Sequence, residues 1–210
     1  MLTNSKYKII EKISDSLDIV VCRAMEVANE RMVILKILKY ESSNIEYITE
    51  FKHEYEISKS LNLPGVIQVY GLENYENTIA LVLEDIGGQN LKQFIDRSRL
   101  NIIDCLKLAI QLTDIIIDLH NQHIIHKDIK PQNIIINPKS KQVKITDFSI
   151  ASRLSKENVM LSNANFLKGT LAYMSPEQTG RMNRSIDYRT DFYSLGITFY
   201  EMLTSQLPFK

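Results

Sequence analysis

A glycine pair, Gly87-Gly88, separates two stretches of chain with different hydrophobic periodicity, and this break constrains the fold more than any other feature. Before it, apolar residues come in short runs rich in β-branched side chains, the pattern of strands. Tyr7–Ile13, Asp18–Ala24 and Met32–Leu38 read this way, with a turn at Asn29-Glu30. Between Ile45 and Leu61, Ile48, Phe51, Tyr55 (or Glu54) and Ser58 step by three and four, which predicts a helix closed by Leu63-Pro64-Gly65. Two more strands are predicted near Val66–Leu72 and Ile79–Leu83. After the glycines the chain turns helical, at Leu91–Arg97, at Ile102–His120 and at about Tyr188–Leu203. The long middle helix has Ile103, Leu106, Ile110, Thr113 and Ile117 on one side. Short strands at Ile134–Ile136 and Val143–Ile145 flank a turn at Asn137–Ser140, and no internal repeat is visible. Strands first and helices second imply an α+β chain of two unequal lobes.

Composition narrows the class. At 44% hydrophobic and 24% charged over 210 residues, the chain has ordinary globular content. Ile102–Leu119 is the most apolar run, but Asp104, Lys107, Asp114 and Asp118 interrupt it before the ~18 residues of a membrane span. The first residues lack the apolar stretch of a secretory signal. Cys22 and Cys105 stand far apart, outside any metal-binding or disulfide spacing, so a reduced, cytoplasmic chain is expected. Net charge is zero, which provides no global field for nucleic acid. The zero hides an asymmetry: residues 1–85 carry 9 basic and 14 acidic side chains, the remainder 16 and 11. That split fits two solvated surfaces, or two lobes with different tasks.

The densest polar constellation is His126-Lys127-Asp128-Ile129-Lys130-Pro131-Gln132-Asn133, followed fourteen residues past Asn133 by Asp147-Phe148-Ser149. A carboxylate, a cation two residues later and an amide five residues later make a compact polar loop between apolar flanks. Phosphoryl transfer from ATP needs such parts: a group to orient the hydroxyl, a cation for the transferring phosphate, and oxygen ligands for Mg²⁺. Asp128 suits the first role, Lys130 the second, and Asn133 with Asp147 the third. A lone His-x-Asp loop is more often a capped turn. The whole run with its Asp-Phe partner is far more specific.

With these residues in place, the sequence resembles the eukaryotic-type protein kinase family over nearly its whole length. Val33-Ile34-Leu35-Lys36 looks like the strand that presents the phosphate-binding lysine, and His53-Glu54-Tyr55-Glu56-Ile57 like the helix whose glutamate pairs with it. The resemblance selects Glu54 over Glu56, because an aliphatic residue, Ile57, follows three positions later. Leu81–Ile86 looks like the gatekeeper and hinge, with backbone groups of Glu84 and Ile86 facing the adenine. The resemblance adds Ile13, Val21, Ile34, Leu83 and Ile135 as residues around the nucleotide. Gly169–Glu177 is similar to the segment that docks a polypeptide substrate, and Asp191–Gly196 resembles the buried-aspartate helix that anchors the catalytic loop. Lys130 and Thr170 match the serine/threonine pattern. Gln178–Arg189 looks like the N-terminal kinase domain of large bacterial hybrid signalling proteins that carry sensor and histidine-kinase modules downstream.

The resemblance implies a bilobal fold, with residues 1–83 as N-lobe, 84–90 as hinge and 91–210 as a partial C-lobe, incomplete at its C-terminus. It implies ATP and Mg²⁺ as cofactors, and as partners a protein substrate with Ser/Thr and downstream modules of the same longer chain. Nucleic acid and membrane insertion are not expected. Four departures stand out. Ser14, Ser16 and Ile19 occupy positions where glycines would let backbone N–H groups approach phosphates. Ile34 replaces a small residue over the adenine, Ser149 a glycine after Asp147-Phe148, and Lys127 the arginine before Asp128. These keep open a nucleotide-binding pseudokinase that serves as a regulatory module. A small-molecule phosphotransferase on a related fold is disfavoured by Gly169–Glu177. Among the hydroxyls after Asp147, Ser152, Ser155 and Ser162 are the expected phosphosites, and Lys127 lacks the bidentate fork to receive them.

Overall fold

The computed structural model of the chain describes residues 6–42, 45–97, 100–153, 171–180, 182 and 184–209. Gly169, Thr170, Ser155 and Ser162 lie outside the described residues. Contacts divide the chain into two units: residues up to Asn62 with Ile67–Gly87, and Leu63–Val66 with the chain from Gly88 onward.

In the first unit, β1 (Tyr7–Asp15), β2 (Ile19–Glu26), β3 (Arg31–Leu38), β4 (Val69–Tyr75) and β5 (Thr78–Glu84) form an antiparallel sheet. The strand order is β1-β2-β3-β5-β4. Helix α1 (Ile45–Ser60) buries Phe51, Glu54, Ile57 and Ser58, a stripe at helical spacing, and packs against β4. The inner face of the sheet holds Tyr7, Ala24, Val33, Leu35, Ile37, Tyr75, Ala80 and Val82. Tyr7 on one edge strand donates its hydroxyl to Glu73 Oε1 on the other at 3.1 Å, so the sheet curls until its edges meet. Alternate residues of β2 face out: Cys22, Ala24 and Glu26 are buried, while Val21, Arg23 and Met25 are half-buried.

The second unit contains β6 (Gln89–Asn90), α2 (Leu91–Arg97), α3 (Ile102–Asn121), β7 (Ile124–Ile125), β8 (Ile134–Ile136), β9 (Val143–Ile145), β10 (Ser152–Arg153) and α4 (Arg189–Thr204). Strands β6-β8-β9 pair in that order, and β10 pairs with β7. Asn101 caps α3 by accepting from Asp104 N at 2.9 Å. At the glycine pair, one boundary between the units, local sterics call for glycine at both positions. Gly87 adopts φ 66°, which glycine takes without penalty. A Cβ on Gly88 would stand 2.8 Å from Ile136 O and 2.7 Å from Ile135 Cγ2.

Two expectations need correction. Strand β4 begins at Val69, three residues later than predicted, because Val66 forms a parallel bridge to Ile145 in the second unit. The predicted stripe of α3 is its exposed side: Ile103, Leu106, Ile110 and Ile117 are all exposed. The buried side is Cys105, Leu108, Leu112, Ile115, Ile116 and Leu119. Asp104, Lys107, Gln111, Asp114 and Asp118 mark one polar stripe with apolar residues to either side of it, so periodicity offers two apolar stripes and tertiary packing selects one.

Candidate functional site

The first group of chemistry-bearing residues is built on β2, β3, β5 and α1. Register places Val21 opposite Lys36, Lys36 opposite Leu81, and Ile34 opposite Leu83. Residues two apart on a strand share a face, so Val21, Ile34, Lys36 and Leu83 line one side of the sheet. Ile13 sits at a register shift in β1, between Lys12 and Ser14, where a bulge re-aims the strand. Lys36 Nζ donates to Glu54 Oε2 at 2.7 Å, and the two side chains are only 11% and 3% exposed. A buried ammonium is disfavoured without a counter-charge, and Glu54 on the buried stripe of α1 supplies it. Glu56 is exposed on the same helix. The Phe51 ring lies 5.6 Å from Lys36 Nζ, adding a cation–π contact.

The end of β5 is clamped to the chain before β4. Glu84 N donates to Gln68 O at 2.9 Å, and Gln68 N donates back to Glu84 Oε2 at 3.1 Å. Asp85 accepts from Arg23 Nε at 2.7 Å and from Gly87 N at 2.8 Å. Ile86, between those anchors, is half-buried. The β1–β2 turn is closed on itself. Ser16 N donates to Ile19 O at 2.9 Å, and Ile19 N to Ser16 Oγ at 3.1 Å. The Lys12 and Lys39 ammoniums hold the Asp15 carboxyl down at about 2.

The second group lies in the loop between β7 and β8. Asp128 Oδ2 accepts from Lys130 Nζ at 2.6 Å and from Asn133 Nδ2 at 2.8 Å. Asn133 Nδ2 also donates to Asp128 O at 2.9 Å, which leaves Oδ1 as the amide oxygen for a ligand. Asp128 Oδ1 is buried and has no hydrogen-bond partner among the described residues. Ile135 is half-buried in the middle of β8, between buried Ile134 and Ile136. Thr146 N donates to Asn133 O at 3.0 Å, which ties Asn133 to the residue just before Asp147. Asp147 itself adopts φ 69°, a left-handed conformation that aspartate tolerates better than most residues.

Beneath the loop, His126 is fully buried against Phe148, ring centroids 4.7 Å apart. Its Nδ1 accepts from Asp128 N at 3.2 Å, so the ring proton sits on Nε2 and donates to Thr146 O at 3.2 Å. Asp191, at the start of α4 and 0% exposed, accepts from His126 N, Lys127 N and His120 Nε2 at 2.8–2.9 Å. Beyond it, Tyr173 donates to the buried Glu201 Oε2 at 2.6 Å, and Lys92 Nζ approaches Glu201 Oε1 at 3.1 Å. Burial, and secondarily that carboxylate, push the Tyr173 phenol well above its usual range.

The structure therefore brings Lys36 to Glu54 in one unit, and Asp128, Lys130 and Asn133 to one another in the other. His120 and Gln178 are contributors that the sequence does not single out. No local pattern marks His120, whereas Gln178 at least falls within an unusual polar segment. Among the described residues, no three His, Cys, Asp or Glu side chains gather as a metal cluster. One carboxylate and one amide oxygen are hard donors of the kind a divalent cation takes together with phosphates and water.

Comparison with known proteins gives a family match. Residues 9–210 match the family model described as "Protein kinase domain". The chain is similar to the serine/threonine-protein kinase PrkC of Bacillus subtilis, 31% identical over 98% of this chain and 31% of that protein. It is 31% identical to the serine/threonine-protein kinase pkn3 of Myxococcus xanthus, over 90% of this chain and 36% of pkn3. It is 33% identical to the serine/threonine-protein kinase cds1 of Schizosaccharomyces pombe, over 98% of this chain and 46% of cds1. The chain thus spans about a third of the length of the bacterial relatives.

Proposed function

This chain belongs to the protein kinase domain family, and from that premise we propose that it transfers a phosphoryl group from ATP to serine and threonine hydroxyls of a protein substrate. One observation carries the reading: the two oxygens of Asp128 are differentiated. Oδ2 is held by Lys130 and Asn133, while Oδ1 is buried and has no partner among the described residues. A buried carboxylate oxygen left unsatisfied is costly and calls for a functional reason, which a hydroxyl brought by the substrate would supply.

The family implies ATP with a divalent metal, and Mg²⁺ is the ion that the donor set suits. Bound together, they supply the transferable phosphoryl group and neutralise its charge. Lys36, oriented by Glu54, holds phosphate oxygens. Asp128 orients the hydroxyl and takes its proton at Oδ1, and Lys130 places a cation beside that transfer. Asn133 Oδ1 and the Asp147 carboxylate hold metal. Ile13, Val21, Ile34, Leu83 and Ile135 provide apolar surface for the base. Glu84 has its N–H committed to Gln68, so contact with the base falls to its carbonyl and to backbone groups of Ile86.

Residues 1–83, 84–90 and 91–210 take the parts of N-lobe, hinge and C-lobe in this reading. Its wider setting is a longer cytoplasmic signalling protein with further modules, in keeping with the distinctive Gln178–Arg189 segment and with relatives longer than this chain. No helix among the described residues is long and apolar enough to cross a membrane. A pseudokinase reading draws on the closed β1–β2 turn, but the intact set of transfer groups weighs against it. Incubation with ATP, Mg²⁺ and a mixed protein extract, read by mass spectrometry, tests the proposal. New phosphoserine and phosphothreonine are expected, absent with Asp128→Asn. Nucleotide binding without any phosphorylated product contradicts it.

A further inference from the structure

Lys127, the residue before Asp128, adopts φ 69°. A left-handed lysine is strained and persists only where its surroundings hold it. Both of its backbone polar groups are held. Its N–H donates to Asp191 Oδ1 at 2.8 Å, and its carbonyl accepts from Gln178 Nε2 at 2.8 Å. The other amide atom of Gln178, Oε1, accepts from Ser175 N at 3.1 Å and from Thr190 Oγ1 at 3.0 Å. Ser175 and Thr190 are fully buried, and their hydroxyls also bond to each other. The amide orientation is unambiguous, because Ser175 N can only donate and the Lys127 carbonyl can only accept.

We propose that Gln178 is a positioning residue for Asp128. It ties the segment carrying Tyr173 and Ser175, which the family resemblance assigns to substrate docking, to the carbonyl immediately before Asp128. Through that bond it maintains the left-handed turn that sets the direction of the Asp128 side chain. Gln178 touches no reacting atom and acts only through the Lys127 peptide. Glutamate is its nearest isostere, yet it lacks the amide hydrogens and would set a carboxylate against the Lys127 carbonyl. The inference rests on the phosphoryl-transfer reading.

The test uses the full chain with Gln178→Ala and Gln178→Glu, alone and combined with Lys127→Gly, which removes the left-handed penalty. With Lys127 present, either variant is expected to lower kcat about tenfold or more, equivalent to about 1.4 kcal/mol, with KM for ATP within about twofold. With Lys127→Gly, the additional loss from Gln178→Ala is expected to shrink below about threefold. Hydrogen exchange gives a readout independent of turnover: the Lys127 amide should exchange faster in Gln178→Ala while α3 keeps its protection. Unchanged kcat in a folded variant overturns the proposal, as does an equal loss in both backgrounds. Unfolding of both Gln178 variants also overturns it, since the side chain would then hold the fold and not the loop. Wild-type protein without turnover would instead overturn the parent reading, and the exchange of the Lys127 amide would still decide whether Gln178 holds the turn.

Discussion

Lys127 N donates to Asp191 Oδ1 at 2.8 Å, joining residues 64 positions apart in sequence. Asp191 is wholly buried and receives His126 N and His120 Nε2 on its other oxygen. A carboxylate here replaces water for two backbone donors that no strand or helix satisfies. Asp191→Ala leaves three donors unpaired, and each unsatisfied buried donor costs about 1–3 kcal/mol. Urea unfolding should show a loss of several kcal/mol, with turnover falling in the protein that remains folded. A loss under about 0.5 kcal/mol, the range of ordinary surface changes, would contradict the anchoring role.

Two buried tyrosines should respond in opposite ways to loss of their hydroxyl. Tyr75 OH is buried with no partner among the described residues, whereas Tyr173 OH donates to Glu201 at 2.6 Å. Tyr75→Phe is expected to be neutral or to stabilise by up to about 1 kcal/mol. Tyr173→Phe should destabilise by about 1–3 kcal/mol, because a buried carboxylate loses a donor. Chemical denaturation of both variants checks the contrast. Equal shifts of the same sign contradict it.

The β1–β2 turn uses the N–H groups of Ser16 and Ile19 internally. Those are groups that a glycine loop would present to phosphates. Ser16→Gly removes the hydroxyl that holds Ile19 N, and Ser14→Gly restores backbone freedom in β1. Steady-state kinetics of the double variant should show KM for ATP lowered by about threefold or more with kcat little changed. An unchanged or raised KM would show that the turn does not limit nucleotide affinity.

Asp15 offers a pH signature. Its carboxyl is depressed from 3.8 to about 2, first by the hydrogen bond from Lys12 and then by that from Lys39. A depressed carboxylate favours the folded state above its unfolded value, and this contribution is lost as pH falls from about 4 through 2. NMR titration should place its midpoint near the lower value, and about 1 M salt should move it upward by screening. A midpoint near 3.8 in low salt would exclude the ion pairs.

Local chemistry made several elements legible in the sequence. Leu91–Arg97, Ile134–Ile136 and Val143–Ile145 occupy the expected residues, and Asn137 closes its turn by accepting from Lys139 N and Ser140 N. A cation within an apolar strand made the need of Lys36 for a carboxylate legible, while the family resemblance, and not burial, pointed to Glu54 as that partner. Where tertiary contacts decide, the pattern falls silent. Ile103, Leu106 and Ile110 form as regular a stripe on α3 as the residues that are actually buried. Val66 carries strand chemistry but bridges Ile145 instead of extending β4. Gln178 falls within a distinctive polar segment, but nothing local names its partner, since its amide donates to a carbonyl 51 residues upstream.

The most direct test of the account is Asp128→Asn, assayed for turnover and for nucleotide binding in parallel. The amide keeps the shape of Asp128 but cannot accept a proton as the carboxylate does. The account predicts a fall in kcat of about 10²–10⁴, the usual contribution of a positioned general base, with nucleotide Kd changed by less than about threefold. Wild-type turnover in Asp128→Asn would contradict it.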